Sequence, residues 1–269
     1  MKRIVFIILC SNTILLQGQD PSFSQSDLNM LYSNPGFSGY EGGTKSLLHI
    51  RNQWNSLNDN FNTWVPLTDD LPTLGVSAIV IHPTNSDIIY IGTGDGDGSD
   101  TYSNGVLKSV DGGDSWQSTG LSYNLTTEYL IHKMIMHPEN PEVLFAATKQ
   151  GLWKTSSGGE VWYRVQLGNI RDVEFKPGNP SILYCCSGLL YKSIDGGEEF
   201  DSAGEGLPSF TSVERMALGV SIDNPNYVYA LCVNDNDNGL LGVYRSEDSA
   251  ETFSLRADSP NILGYPIDG

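Results

Sequence analysis

The sequence predicts an all-β chain built as blades of a β-propeller, and three observations predict it. An eight-residue stretch recurs four times, as SVDGGDSW at 109–116, TSSGGEVW at 155–162, SIDGGEEF at 193–200 and SEDSAETF at 246–253. Its third position falls at Asp111, Ser157, Asp195 and Asp248, in steps of 46, 38 and 53 residues. Steps of about forty residues, each holding several short strands, mark propeller blades. The segments running into the repeat, GVLKSV and LLYKSI, alternate apolar and polar residues at period two, as a strand with one buried face does.

Each repeat unit has the same order. A turn rich in Pro and Asn comes first (HPTNSD, HPENPE, KPGNPS, DNPN), followed by a β-branched or aromatic strand, a glycine, and a second strand that runs into the eight-residue box. Within the box, Asp-Gly-Gly supplies the positive φ angles of a tight hairpin, and the Asp carboxylate accepts hydrogen bonds from the amides of its own turn. The residues in question are Ser109, Asp111 and Gly113; Ser157 and Gly159; Ser193, Asp195 and Gly197; and Ser246 and Asp248. Trp116, Trp162, Phe200 and Phe253 close the four boxes as the large apolar side chain that returns into the blade. A turn and a packing contact explain every one of these residues, so the box speaks for architecture and not for chemistry. His82 and His137 precede a proline at the same place in two repeats, which makes them turn residues rather than ligands or bases.

The 269 residues carry 32 acidic and 15 basic side chains, a formal net charge of -17. Such a surface repels phosphate backbones and anionic membranes, which excludes nucleic acid as a partner. The start, MKRIVFIILCSNTILLQGQDP, has two basic residues and then short apolar runs, the layout of a secretory signal peptide over residues 1–18. After Leu16 no stretch approaches membrane-spanning length, so the mature chain is expected to be exported, secreted or held at the cell surface. Past the signal stand Cys185, Cys186 and Cys232, too few and too irregular for a disulfide framework; neighbours on a strand, Cys185 and Cys186 point to opposite faces. No zinc-ligand spacing is present.

The pattern S-x-D-x-G-x-x-W, as in Ser109, Asp111, Gly113 and Trp116, resembles the Asp-box or BNR repeat. Its bearers include sialidases, xyloglucanase-type glycoside hydrolases and sortilin-like ligand-binding propellers. The resemblance covers residues 62–269 and implies boxes on the hairpin joining the outer strands of each blade, away from the axis where ligands sit. WVPLTDDLP at 64–72, GTGDGDGSDTYSNGVLKS at 92–109 and SPNILGYPIDG at 259–269 are similar to secreted sortilin-like or xyloglucanase-like proteins of bacteria with a type IX secretion system. Ser157 replaces the box Asp in the second copy, and Ser249 and Ala250 replace both glycines in the fourth. Four boxes do not close the larger rings of such families, so a partial propeller of about four to five blades, truncated at its C-terminus, is expected, with a small closed ring as the alternative.

Residues 19–61 stand outside the repeat. QDPSFSQSDLNMLYSNPGFSGYEGGTKSLLHIRNQW resembles the mature start of the PorP/SprF-type membrane proteins of the type IX secretion system. Two origins are open: a natural fusion whose first segment docks to outer-membrane secretion machinery, or two unrelated secreted proteins joined near Asn60. Within it LLHIRNQW can form one strand, and the remainder is expected to be loosely ordered.

Candidate chemistry is sparse. Asp95, Asp97 and Asp100 form the densest carboxylate cluster, a calcium site if backbone carbonyls complete six to eight oxygen ligands, and otherwise a solvated loop. NDNDNG at 234–239 has a similar composition. No other cofactor is expected. Glycoside hydrolysis needs two carboxylates across a cleft, which sequence does not measure, so no catalytic residue is nominated. Sialidase action is disfavoured: the Arg-Ile-Pro motif is absent, and Arg51, Arg164, Arg171, Arg215, Arg245 and Arg256 lie in no pattern suggesting a carboxylate-binding triad. Tyr102, Tyr123 and Tyr129 can stack on sugars or pack within the sheet. The resemblance implies a secreted, non-catalytic binding or scaffold module for protein or polysaccharide. The alternatives are a xyloglucanase-like glycoside hydrolase and an accessory part of type IX secretion.

Overall fold

The computed structural model describes residues 67, 71, 75–95, 102–126 and 129–263. The signal peptide, the PorP/SprF-like segment with its LLHIRNQW strand, and Asp97 and Asp100 lie outside the described residues. The chain divides into two units, Met1–Trp64 and Val65–Gly269, and the description concerns the second.

Among its described residues that unit is a partial β-propeller of four blades with no α-helix. Blade one is β1 (Val76–Ile81), β2 (Ile89–Thr93), β3 (Gly105–Ser109) and β4 (Gln117–Ser122). Blade two is β5 (Ile131–Met136), β6 (Leu144–Thr148), β7 (Gly151–Thr155) and β8 (Tyr163–Leu167). Blade three is β9 (Asp172–Phe175), β10 (Leu183–Cys186), β11 (Leu190–Ser193) and β12 (Asp201–Ala203). A 3-10 turn at Phe210–Ser212 leads into blade four: β13 (Val213–Val220), β14 (Val228–Asn234), β15 (Leu240–Ser246) and β16 (Ser254–Ala257). Every blade is an antiparallel meander in chain order.

The core lies between blades. Tyr90, Val106 and Leu121 of blade one pack with Ile131, Met134, Leu144, Ala146 and Trp162 of blade two. Phe145, Ala147 and Leu152 turn the other way to meet Val173, Leu183 and Cys185. Tyr184, Cys186 and Leu190 then meet Met216, Leu218, Ala230 and Phe253. Cys185 and Cys186 thus enter opposite layers, as neighbours on one strand must. The period-two alternation read for GVLKSV and LLYKSI is not matched in burial, since β3 is buried at four of its five positions and β11 at its two ends, and the second strands β6 and β10 are buried at every position. A blade with a neighbour on both sides buries both its faces, so its second strand reads as one continuous apolar run.

Equivalent residues make each junction. The second residue of the second strand is aromatic (Tyr90, Phe145, Tyr184), and it seats against the box of the following blade. The Tyr90 hydroxyl donates to Gly158 O at 3.0 Å. A Cβ on Gly197 would lie 2.5 Å from Phe145 Cε1. The lysine just before each of the first three boxes also reaches forward. Lys108 Nζ donates to Gly158 O at 3.1 Å, Lys154 Nζ to Gly196 O at 2.8 Å and Glu198 at 2.6 Å, and Lys192 Nζ to Glu251 at 2.6 Å. Lys154 is 5% exposed, its ammonium held by that carbonyl and carboxylate and lying 5.5 Å from the Phe145 ring centroid.

Candidate functional site

The two ends of the blades do different work. At one end sit the boxes, on the hairpins β3–β4, β7–β8, β11–β12 and β15–β16. The Ser109 hydroxyl donates to Asp111 Oδ1 at 2.7 Å and accepts from Gly113 N at 2.8 Å, while Asp111 Oδ1 accepts from Ser115 N at 2.9 Å. Ser193 with Asp195 and Ser246 with Asp248 repeat the first contact at 2.7 Å each. Gly197 N and Ala250 N take the place of Gly113 N, both at 2.9 Å.

These bonds favour the ionised carboxylates. The Ser115 hydroxyl, then Ser109, holds Asp111 down at about 2, and the Thr252 hydroxyl does the same for Asp248. Asp195 is lowered chiefly by the Ser193 hydroxyl. In the second box Thr155 takes the leading serine's place, and Ser157 Oγ accepts from Val161 N at 3.0 Å, keeping one contact of the missing carboxylate. In the fourth, Ser249 (φ 61) and Ala250 (φ 70) hold the left-handed backbone that glycine occupies elsewhere. Ser249 Oγ is bonded to Asn226 Oδ1 at 2.9 Å and Lys176 Nζ at 2.7 Å, which offsets part of that strain.

The Pro- and Asn-rich turns lie at this same end. His82 Nδ1 accepts from Asn85 N at 3.2 Å and His137 Nδ1 from Asn140 N at 3.1 Å, so both imidazoles close turns. Trp162 and Phe253 are buried, whereas Trp116 and Phe200 are half-buried.

The opposite end, where the first strands begin, is open and grooved. One cleft of about 730 Å³ is lined by Ser77, Asp95, His132, Arg171, Asp172 and Arg215, with Met216, Leu231 and Val233 as its apolar side. A second, of about 690 Å³, is lined by Asn169, Arg171, Leu189, Tyr191, Phe210 and Glu214, with Asp235 also on its wall. Arg171 belongs to both, which makes them one continuous surface. His132 Nε2 and Asn169 Oδ1 are 3.0 Å apart, a further link between them.

Phe210 is 59% exposed, and its ring lies over Gly188, where a Cβ would come within 2.9 Å of Cδ2. The missing side chain lets the ring approach the hairpin this closely while more than half of the residue stays exposed. Asp172, by contrast, is consumed by structure. Its Oδ1 accepts from Lys133 Nζ at 2.6 Å and its Oδ2 from Leu218 N at 2.8 Å.

Several residues singled out from sequence meet here. Asp95 lines the first cleft. Tyr123 and Tyr129, at the same end of the strands, pack edge to face at 5.3 Å, and Tyr102 is 52% exposed. In the 234–239 hairpin, Asp237 Oδ1 accepts from Gly239 N at 2.9 Å and Asn234 Oδ1 from Asn236 N at 3.0 Å, so its composition serves the turn. Of the arginines, Arg171 and Arg215, near strand starts in different blades, line the same cleft. Sequence also gave no weight to Phe210; its position in GLPSFTSV, just outside the repeat, was the available signal.

Comparison with known proteins follows this division. The profile of the family described as type IX secretion system membrane protein PorP/SprF matches residues 15–69. A xyloglucanase of Paenibacillus sp. is 28% identical over 155 residues, 53% of this chain and 14% of that protein's length. The crystal structure of an ancestral GH74 enzyme superposes with a TM-score of 0.55 at 24% identity, covering 74% of this chain and 26% of that one. The GH74 enzyme of Niastella koreensis gives 0.50 at 23% identity, covering 70% and 31%. The chain therefore has a xyloglucanase-related propeller fold and spans a minor part of the length of these relatives.

Proposed function

We propose that this chain is a secreted or cell-surface Asp-box propeller that binds polysaccharide, without cleaving it, along the clefts where its first strands begin. The observation that carries the reading is Phe210, an exposed ring seated on Gly188 beside Tyr191, Asn169 and Glu214. An aromatic face among hydrogen-bonding side chains suits a sugar ring, whose C–H face is apolar and whose rim is hydroxylated. The boxes, turned to the other end and satisfied internally, take no part. Export is supported by the PorP/SprF match, which also keeps docking to outer-membrane secretion machinery as a role for the N-terminal segment. The reading assigns no cofactor, and chelator is expected to leave the melting temperature unchanged; a fall reversed by calcium would instead assign a metal to Asp95, Asp97 and Asp100.

Titration calorimetry of the chain with xyloglucan oligosaccharides tests the reading. Binding that weakens about tenfold in Phe210→Ala supports it, and the same affinity in the variant overturns the site. The second reading, a xyloglucanase-like glycoside hydrolase, is favoured by the 28% identity to an enzyme and by Glu214 and Asp235 lining one cleft. Release of reducing ends from xyloglucan, lost in Glu214→Gln or Asp235→Asn, would establish it over the first.

A further inference from the structure

We propose that the outer face of blade four, around Tyr229 and Arg245, docks on blade one of a second copy of this chain and completes there the same junction that joins the blades internally.

The three internal junctions set out what each side supplies. The forward side brings the aromatic residue of the second strand, an apolar residue of the third and the lysine before the box. In blade two these are Phe145, Leu152 and Lys154, all 5% exposed or less. Register identifies their counterparts in blade four, because Tyr229 pairs with Arg245 as Phe145 pairs with Lys154. Tyr229 is 37% exposed, whereas Tyr90, Phe145 and Tyr184 are buried. The Arg245 side chain keeps 24% of its surface, against 6% for Lys154. The receiving side brings its box and an apolar residue of its first strand, and Met134, Val173 and Leu218 fill that place buried. In blade one the residue is Ile79, paired with Ile91 as Met134 is with Ala146, and it is 64% exposed. One chain thus carries both halves of a junction, each of them open.

Charge points to a second copy as the occupant. At -17 per chain, two copies repel each other except where a cationic group meets a carboxylate. Arg245 and Arg256 share the single carboxylate of Glu247, and Arg245 Nε has no hydrogen-bond partner among the described residues. The first box offers Asp114 in the place of Glu198 and Glu251, the carboxylates that meet Lys154 and Lys192 at 2.6 Å. Asp114 is exposed and makes no ion pair among the described residues. Toward the rim Leu67 touches Gly113 as Thr119 touches Gly159, so this chain's own lead holds the outermost place at the first box. β16 of the docking copy, exposed at all four positions, then lies outside it. Docking at both ends closes two sets of four blades into a ring within the range propellers reach.

Sedimentation equilibrium of the unmodified protein across micromolar concentrations is expected to show a mass that rises to two copies and stops there. Arg245→Glu and Asp114→Arg, each shown by thermal melting to be folded, put like charges at both junctions and should each weaken pairing about tenfold or more. Ile79→Ser, at an exposed position of the receiving half, should weaken it as well. An equimolar mixture of the two charge variants brings opposite charges together at both junctions and should restore the pair, which neither misfolding nor a contact elsewhere would do. A monomer at every concentration, a mass that climbs without a plateau, or pairing that both charge variants leave untouched overturns the proposal.

Discussion

Lys133 and Asp172 occupy matching positions on the first strands of adjacent blades, and the Lys133 ammonium lies 2.6 Å from Asp172 Oδ1. Lys133 pairs across its own sheet with Ala147, and Asp172 pairs with Cys186. The other carboxylate oxygen of Asp172 accepts from Leu218 N on the next blade at 2.8 Å. One side chain therefore ties blades two, three and four at the axis. Burial works against the charged ammonium, but Asp172 and Glu174 together hold the Lys133 pKa above the usual lysine value.

Removal of this carboxylate should loosen the junctions from both sides. Asp172→Ala strands the buried Leu218 amide and leaves Lys133 with Glu174 alone; the expected loss is about 2–4 kcal/mol of unfolding free energy. Asp172→Asn keeps an acceptor for Leu218 N and should lose less. Lys133→Met should also destabilise, because it leaves the Asp172 carboxylate, 11% exposed, beside Glu174 with that ammonium removed. Denaturant unfolding of the three variants checks the order; an alanine variant no weaker than the asparagine one would remove Leu218 from the account.

The boxes set a pH limit. Asp111 and Asp248 are held at about 2 in the fold, below the ordinary carboxylate value of 3.8, and Asp195 is lowered too. A depressed folded pKa stabilises above the unfolded value and loses that contribution as pH falls through the folded one. Stability should thus be insensitive to these groups above about pH 4 and decline between about pH 4 and pH 2. Blade two, with Ser157 in place of the box carboxylate, lacks this contribution. Hydrogen exchange corrected for intrinsic rates should show the first, third and fourth box turns opening in that window and the second unchanged; uniform opening of all four would contradict the assignment.

Gly197 is constrained twice, by φ of 79 and by Phe145 Cε1, 2.5 Å from where a Cβ would stand. Gly197→Ala should cost about 2–4 kcal/mol, the sum of left-handed strain and overpacking. Gly178 has a similar φ of 75 with nothing within 4 Å, so Gly178→Ala should cost only the backbone part, about 1 kcal/mol. Adding Phe145→Leu to the Gly197 variant should recover the steric share, giving a cost below the sum of the two singles. Additive costs would show that the ring and the glycine do not meet.

Why the boxes are legible in sequence and the clefts are not follows from how each is assembled. A box closes within eight consecutive residues: Ser109, Asp111, Gly113 and Ser115 bond to one another, so letters and geometry coincide. The clefts draw Asn169 and Arg171 from one blade and Phe210 and Arg215 from the lead into another, and nothing local marks them as neighbours. The arginines look scattered until the strands are laid side by side. The LFAAT and LYCC strands were read from their place in the repeat and their composition, since stacking on both faces erases the alternation that identifies a half-buried strand. Strand parity alone did separate Cys185 from Cys186.

Those thiols give a last test of the stacked core. Burial pushes Cys232 up to about 12 and raises Cys185 and Cys186 above the ordinary thiol value, and Cys186 Sγ lies 3.2 Å from Met216 O across the junction of blades three and four. The thiolate is the reactive form, so all three should resist iodoacetamide in the native protein at about pH 8 and react promptly in denaturant. Peptide mapping separates the sites. Labelling of Cys186 and Cys232 while Cys185 stays protected would mean that the junction between blades three and four opens on its own, since Cys185 belongs to the layer between blades two and three.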